Sequence, residues 1–269
     1  MKPGTYKDLS NNDYHSAPGI SKSGLDLIAK CPAMYKRRYI DGIASEPTPA
    51  MILGSAVHTA TLEPDKFADE FVCAPEINRR TKAGKAEWEQ LQADNEDKTV
   101  LSAADHATAI AMAEAVKSHP VAGNILADGE AETSIFHHDE RTGELVKVRP
   151  DWIVEDCLVD LKTTQDCSID AFSKACLNFR YYVQSAMYMD IVTAQTGRNI
   201  NNFIFIVVEK VEPYNVSVYV ADNDMIAFGR EEYRKDLESY AECKASGSWP
   251  GYNENQITTI SLPGWAYKR

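Results

Sequence analysis

A chain of 269 residues, 44% hydrophobic and 25% charged, has the composition of an ordinary globular protein able to bury a full core. Its formal net charge of −12 argues against a protein that coats nucleic acid non-specifically, yet leaves room for an enzyme whose DNA contact is confined to a local basic groove. No stretch approaches the roughly 18 apolar residues of a membrane span, the opening MKPGTYKDLSNNDYH lacks a signal-peptide apolar core, and the cysteines form no CxxC pair, so a cytoplasmic chain with reduced, mostly buried thiols is expected.

Residues 1–20, rich in Gly, Pro, Asn and Asp, read as irregular. Ser21 caps a short helix carrying Leu25, Leu27 and Ile28 that stops at Cys31-Pro32, and Ala33–Tyr39 reads as another helix, ended by Asp41-Gly42. Apolar spacing at Leu53, Val57 and Ala60 predicts a helix over Met51–Leu62. Arg79-Arg80-Thr81-Lys82-Ala83-Gly84-Lys85 reads as a basic loop leading into a helix near Glu87–Ala93, and Ser102 with Asp105 opens a helix through Val116. The character changes at Glu132. Thr133–His137, Leu145–Val154 and Leu158–Lys162 read as strands, separated by turn residues at 139–143 and at Glu155-Asp156. A long helix over roughly Ile169–Thr196, stopped by Gly197, precedes two strands, Phe203–Val208 and Val216–Val220. Asp222 caps a last helix ended near Gly247. The expected fold is α/β: a mixed β-sheet flanked by helices, in one domain over 1–269, with 1–130 mostly helical and 131–269 holding the sheet.

Pro150-Asp151 and Asp160-Leu161-Lys162 carry the sharpest chemical signal. A tight turn at Glu155-Asp156 pairs 154 with 157, and therefore sets Asp151 opposite Asp160, with Lys162 on the same face as Asp160. Carboxylates facing each other across a ladder repel, and a divalent cation between them removes the objection. A solvated hairpin face with three charges would show the same spacing. The flanking Trp152, Ile153, Leu158, Val159 and Leu161 point instead to a buried sheet, where unpaired carboxylates need partners or a metal. His58 follows Gly54 by one helical turn, and the glycine would let that helix approach another backbone where the imidazole projects. Neutral imidazole is an acceptable ligand for Mn²⁺ and less commonly Mg²⁺, with Glu63 a weaker candidate acting through water. Gln184 and Tyr188 lie at i and i+4 and share a helix face, beside an apolar stripe of Phe172, Phe179, Val183, Met187 and Ile191.

In this order, Gly54 and His58 (GxxxH), Pro150-Asp151 (PD), Asp160 and Lys162 (DxK), and Gln184 and Tyr188 (QxxxY), the chain resembles the PD-(D/E)xK nuclease superfamily, and within it the RecE-type exonucleases (exonuclease VIII). The likeness to that branch extends to Gly19-Ile20-Ser21-Lys22-Ser23, Asn78-Arg79-Arg80-Thr81, Tyr182-Val183-Gln184 and Ser261-Leu262-Pro263. The resemblance implies a restriction-endonuclease-like core and a Mg²⁺-dependent hydrolase, with Mn²⁺ able to substitute. Such an enzyme digests linear duplex DNA 5′ to 3′ and leaves 3′ single-stranded tails for an annealing partner in recombination. It also implies a homo-tetrameric ring, in a setting that suits a phage or prophage. Asp151, Asp160, Lys162, Gln184 and Tyr188 would be catalytic. His58, Asp151, Asp160 and the carbonyl of Leu161 would hold metal. Arg79, Arg80, Lys82 and Lys85 would bind DNA, with Ser21 and Ser23 taking a phosphate. An iron–sulfur cluster, carried by other relatives on four cysteines, is not expected, because only Cys243 follows Tyr188. A structure-specific endonuclease on the same core and an inactive DNA-binding or assembly module are the rival expectations.

Overall fold

Phe203, Phe205 and Val207 alternate with Ile204, Ile206 and Val208, and in the computed structural model the two sets pack into two different cores. The structure describes residues 1–43, 46–253 and 256–267. The N-terminal part contains β1 (Gly4–Tyr6), α1 (Asn11–Ser16), α2 (Lys22–Lys30) and α3 (Pro32–Tyr35), which runs into a π-turn at Lys36–Ile40. Next come α4 (Pro49–Leu62), α5 (Pro64–Glu70), β2 (Phe71–Cys73), α6 (Lys82–Ala93), β3 (Thr99–Leu101), α7 (Ala103–Ser118) and α8 (Pro120–Ile125). The strands β4 (Glu130–Ala131), β5 (Ser134–His138), β6 (Leu145–Val148), β7 (Trp152–Val154) and β8 (Cys157–Thr164) follow. The chain continues through α9 (Ile169–Asn178), α10 (Tyr181–Thr196), β9 (Asn202–Glu209), β10 (Val216–Val220) and α11 (Asn223–Ser246) to a 3₁₀ turn at Gly264–Tyr267.

The main sheet runs β10-β9-β8-β7-β4, with β8 and β9 parallel and its other pairs antiparallel. One face packs Leu158, Phe203, Phe205 and Val207 against Val183 and Met187 of α10 and Tyr233 of α11. The other packs Val159, Leu161, Ile206 and Val208 against Ala56 and Val57 of α4 and Met112 and Val116 of α7. Helices therefore cover both faces of a mixed sheet, the α/β arrangement that the alternating pattern predicts. A smaller sheet, β1-β5-β6, extends the first core through Ile135, Val146 and Val148. Helix starts follow local chemistry: Ser21, Thr48, Thr81, Ser102 and Asp222 each accept a hydrogen bond from an amide of the first turn. Helices α10 and α11 touch backbone to side where Gly229 lies, since a Cβ there would sit 1.9 Å from the Tyr182 carbonyl oxygen.

Tertiary contacts override the sequence pattern in several places. Residues 1–20 are not irregular: β1 pairs with β5, and Ser10 caps α1 by accepting from the Asp13 amide at 3.0 Å. The helix expected to Tyr39 widens into the π-turn after Tyr35. Helix α6 starts at Lys82 because Thr81 caps it through the Gly84 amide, which puts Lys82 and Lys85 on the helix and not in the loop. The strand expected over Leu145–Val154 is split between the two sheets. Pro150 offers no amide to a ladder, and the buried Arg149 donates to Ser134 Oγ and to the Leu9 carbonyl, both 2.7–2.8 Å away. The helix expected over Ile169–Thr196 is two helices. Arg180 is left-handed (φ 54°) and its guanidinium bonds Asp26 and Asp236, which fixes the break; Phe179, assigned to the apolar stripe, is exposed there. Among the described residues no helix is long and apolar enough to cross a membrane.

Candidate active site

Strands β7 and β8 pair in the register inferred from the turn: Val154 with Cys157, Ile153 with Leu158, Trp152 with Val159. One step further sets Asp151 against Asp160, but β7 has ended by then. Asp151 bends away, and its Oδ2 accepts the Leu161 amide at 2.8 Å, so a side chain takes the place that the proline-interrupted strand leaves vacant in the ladder. Asp160 lies in the middle of β8, 1% exposed, on the face toward α10.

Gln184 of α10 donates to Asp160 Oδ1 at 2.5 Å, which gives the amide a specific partner in the sheet. The Lys162 ammonium lies 2.6 Å from Asp160 Oδ2, a close ion pair on this buried oxygen. The same ammonium rests 4.5 Å from the centre of the Tyr181 ring. From the opposite face of the sheet, α4 brings His58 Nδ1 to 3.4 Å from Asp151 Oδ2. Gly54 has little part in this approach, since a Cβ there would meet only Thr163 Oγ1, at 3.8 Å. Glu132 completes a trio: one ligand atom each from His58, Glu132 and Asp151 lie within 4.8 Å of one another. Asp160 stands beside this trio, occupied by Gln184 and Lys162.

Glu132 escapes a spacing argument. It belongs to no motif and reaches the site because the chain kinks between β4 and β5, where Glu132 is left-handed (φ 43°) and its amide donates to the Asp151 carbonyl at 3.0 Å. Tyr181 escapes for a related reason: it faces Lys162 only because the helix breaks before it. Tyr188 is half-buried, with its hydroxyl oxygen reached by the Arg149 amide and its ring edge on Phe203. Glu63 pairs with Lys66 at 2.5 Å.

The electrostatics are those of crowded acid. Burial first, and then the Asp160 charge, push Asp151 from an ordinary 3.8 to about 6. Burial and the nearby Asp151 likewise hold Glu132 well above the usual carboxylate range. Burial alone would lower the Lys162 pKa; Asp160 and Asp151 outweigh it and hold the ammonium firmly charged. One imidazole nitrogen and two carboxylates, with the ion-paired carboxylate of Asp160 beside them, make a hard donor set that suits an oxygen-preferring divalent cation.

The basic residues lie apart from this cluster. Arg79, Arg80, Lys82 and Lys85 are exposed, and the Arg79 guanidinium stacks 4.2 Å from the Trp88 ring on a groove of about 450 Å³ that includes Asn78 and Ser102. No described contact joins that groove to the carboxylates. Ser21 and Ser23 are closer: their hydroxyl oxygens are 3.2 Å apart at the start of α2, and Lys22 between them lies 5.9 Å from the same Tyr181 ring that faces Lys162.

Comparison with curated proteins gave no match. Among solved structures, the fold is similar to that of an inferred exonuclease from Eubacterium rectale, with a TM-score of 0.65 over 95% of this chain and 96% of that one, at 12% identity. An alkaline exonuclease from Laribacter hongkongensis is similar more loosely: TM-score 0.28 and 16% identity, over 71% of this chain and 90% of that one, too distant to build on. The profile of a family described as "PDDEXK-like domain of unknown function (DUF3799)" matches residues 21–259. With that match spanning most of the chain, and its Pro150-Asp151 and Asp160–Lys162 segments meeting in one buried site, the protein belongs to this PDDEXK-like family.

Proposed function

We propose that the chain is a divalent-metal-dependent deoxyribonuclease that digests linear duplex DNA from its 5′ ends and leaves 3′ single-stranded tails. One observation carries the nuclease reading: a His58–Glu132–Asp151 trio whose carboxylates resist ionisation alone, beside the buried Asp160–Lys162 pair. The polarity rests on the likeness of the sequence to RecE-type exonucleases.

His58, Glu132 and Asp151 would hold the metal, Mg²⁺ with Mn²⁺ able to substitute, and Asp160 and the Leu161 carbonyl would complete its oxygen shell. When bound, such a cation lowers the pKa of water and neutralises charge building on the phosphate. Lys162 sits where it can position the attacking water and stabilise that developing charge. Gln184 fixes the Asp160 rotamer by its hydrogen bond, and the Tyr181 ring confines the lysine head. Tyr188, one turn further along α10, would orient the DNA strand with Gln184, its hydroxyl oxygen held by the Arg149 amide. At the start of α2, Ser21 and Ser23 offer hydroxyls and free amides to a phosphate of the strand being cut. Arg79, Arg80, Lys82 and Lys85 would contact duplex phosphates farther from the cut. The same proposal covers a homo-tetrameric ring, an annealing protein as partner, and a cytoplasmic setting. Residues 1–269 would act as one nuclease domain, consistent with β1 and α2 packing directly on the catalytic layers.

The test is digestion of linear and covalently closed duplex with Mg²⁺, labelled at the 5′ or the 3′ end. Loss of 5′ label from linear DNA with circles intact is expected. Cut circles would replace the exonuclease with an endonuclease, and no cleavage with Mg²⁺ or Mn²⁺ would remove the enzyme altogether.

A further inference from the structure

Beside the carboxylates, where α2 faces the break between α9 and α10, lies a cleft of about 630 Å³ whose lining includes Lys22, Asp26, Phe179, Arg180 and Tyr181. That volume is within the range of small-ligand sites. Its wall is a column of aromatic rings running from the core to the surface. Phe205 and Phe172 each lie 6.0 Å from Tyr181, and Phe179 stacks on Tyr181 at 5.7 Å with the planes 26° apart. Phe179, the outermost ring, is 61% exposed. A single exposed phenylalanine needs no explanation; one stacked on an anchored ring at the mouth of a cleft, flanked by cations, does.

The cations are held in reserve. Lys22 reaches Asp26 at 2.7 Å and Arg180 reaches the other oxygen of Asp26 at 3.3 Å, with Asp236 holding Arg180 more closely from its other side, at 2.5 Å. Lys22 also donates to the Phe179 carbonyl at 2.6 Å, which ties the ammonium to the residue carrying the exposed ring. The cleft adjoins the site through Tyr181, whose ring centre lies 5.9 Å from the Lys22 ammonium and 4.5 Å from that of Lys162. A flat apolar ring beside paired cations is the arrangement that receives a base and its phosphate in single-stranded DNA.

We infer that this cleft is a nucleotide subsite: it takes one unpaired nucleotide of the strand under digestion, its base stacked on Phe179 and its phosphate between Lys22 and Arg180, with Asp26 as the internal competitor. The subsite rests on the nuclease reading for its place along the strand but not for its ability to bind. A duplex cannot present a base to Phe179, so the subsite selects DNA that has already opened next to the cut.

The experiment is fluorescence anisotropy of a short labelled oligo-dT with the full chain in EDTA, where nothing is cleaved. Phe179→Ala should weaken binding roughly tenfold, within the span known for base–aromatic stacking, while Phe179→Trp retains it. Asp26→Asn should tighten binding and steepen its salt dependence, because Lys22 is released to the phosphate while Arg180 stays anchored on Asp236. A closed dumbbell duplex of the same length should be indifferent to Phe179→Ala. Oligo-dT binding that is unchanged in Phe179→Ala, equally weak in the Ala and Trp variants, or absent in the unmodified chain overturns the subsite. The two proposals fail separately: cleavage with Phe179-independent binding removes the subsite alone, whereas Phe179-dependent binding without cleavage in Mg²⁺ or Mn²⁺ removes the nuclease alone.

Discussion

Two clusters of buried charge adjoin in sequence and behave differently. Lys147, 4% exposed, donates to the carbonyls of Tyr14, Ala17 and His15 at 2.7, 2.6 and 3.1 Å, and Arg149 beside it bonds Ser134, Leu9 and Ser10. A few residues on, Asp151, Asp160 and Glu132 crowd together with a single ammonium, that of Lys162, among them. Both clusters carry displaced pKa values: burial, and then Arg149, bring Lys147 down to about 8, while Asp151 rises to about 6. A displaced pKa therefore does not tell a site from a strut. The charge balance does. The basic cluster has its donors used on carbonyls and pins the N-terminal segment to the small sheet; the acidic cluster gathers three carboxylates around one ammonium, a repulsion that a divalent cation would relieve.

That contrast can be broken in four ways. The largest effect belongs to the acidic side. Lys162→Ala and Asp160→Ala should each cut turnover of end-labelled duplex by at least about 10²–10³-fold in chains that remain folded; turnover within tenfold of the parent would take either residue out of the chemistry. Next, Lys147→Met strands three carbonyls and should cost about 3 kcal/mol in urea unfolding, whether or not metal is present. A neutral result would end the claim that this cluster is structural.

Third is a pH dependence. Folding raises Asp151 from 3.8 to about 6, so between those values the folded chain binds more protons than the unfolded one. Metal-free stability should therefore fall as pH climbs through that window, by on the order of 2–3 kcal/mol, and this contribution should level off above it. Asp151→Asn should flatten the slope, and Mg²⁺ should stabilise the parent at pH 7 but not at pH 4. Melting curves across pH, with and without metal, decide it; a slope identical in the variant would assign the dependence elsewhere. The smallest effect is at the distant groove. Arg79→Ala with Arg80→Ala should lower the salt slope of DNA binding by about 2 and leave the metal-induced rise in melting temperature unaltered.

What the sequence made legible is local. The pairing of 154 with 157 followed from a two-residue turn, and Glu155 indeed takes the left-handed conformation there (φ 41°). The caps at Ser21, Ser102 and Asp222 act within one helical turn, and β8 and β9 alternate with period two. The illegible features depend on partners far along the chain. The break at Phe179-Arg180 is held by Asp26 and Asp236, and the break at Arg149-Pro150 by Leu9, Ser10 and Ser134. Glu132 enters the site through a kink that no periodicity marks. Site residues lying on the strand and its neighbouring helix face were thus readable, and those delivered by a bend were not.

Strand β8 has a reading frame. Leu158, Asp160 and Lys162 look toward α10, and Val159 and Leu161 look toward α4 and α7, each set committed to its own layer. Inserting or deleting a single residue would turn two hydrophobic contacts and both charges inside out in one stroke. The one-residue gap between aspartate and lysine is consequently guarded twice, by chemistry on one side and by packing on both. A copy that had lost its catalytic use would still be held to that gap by its two cores, so the spacing of the motif testifies mainly to the fold, and only the identities of Asp160 and Lys162 testify to the chemistry.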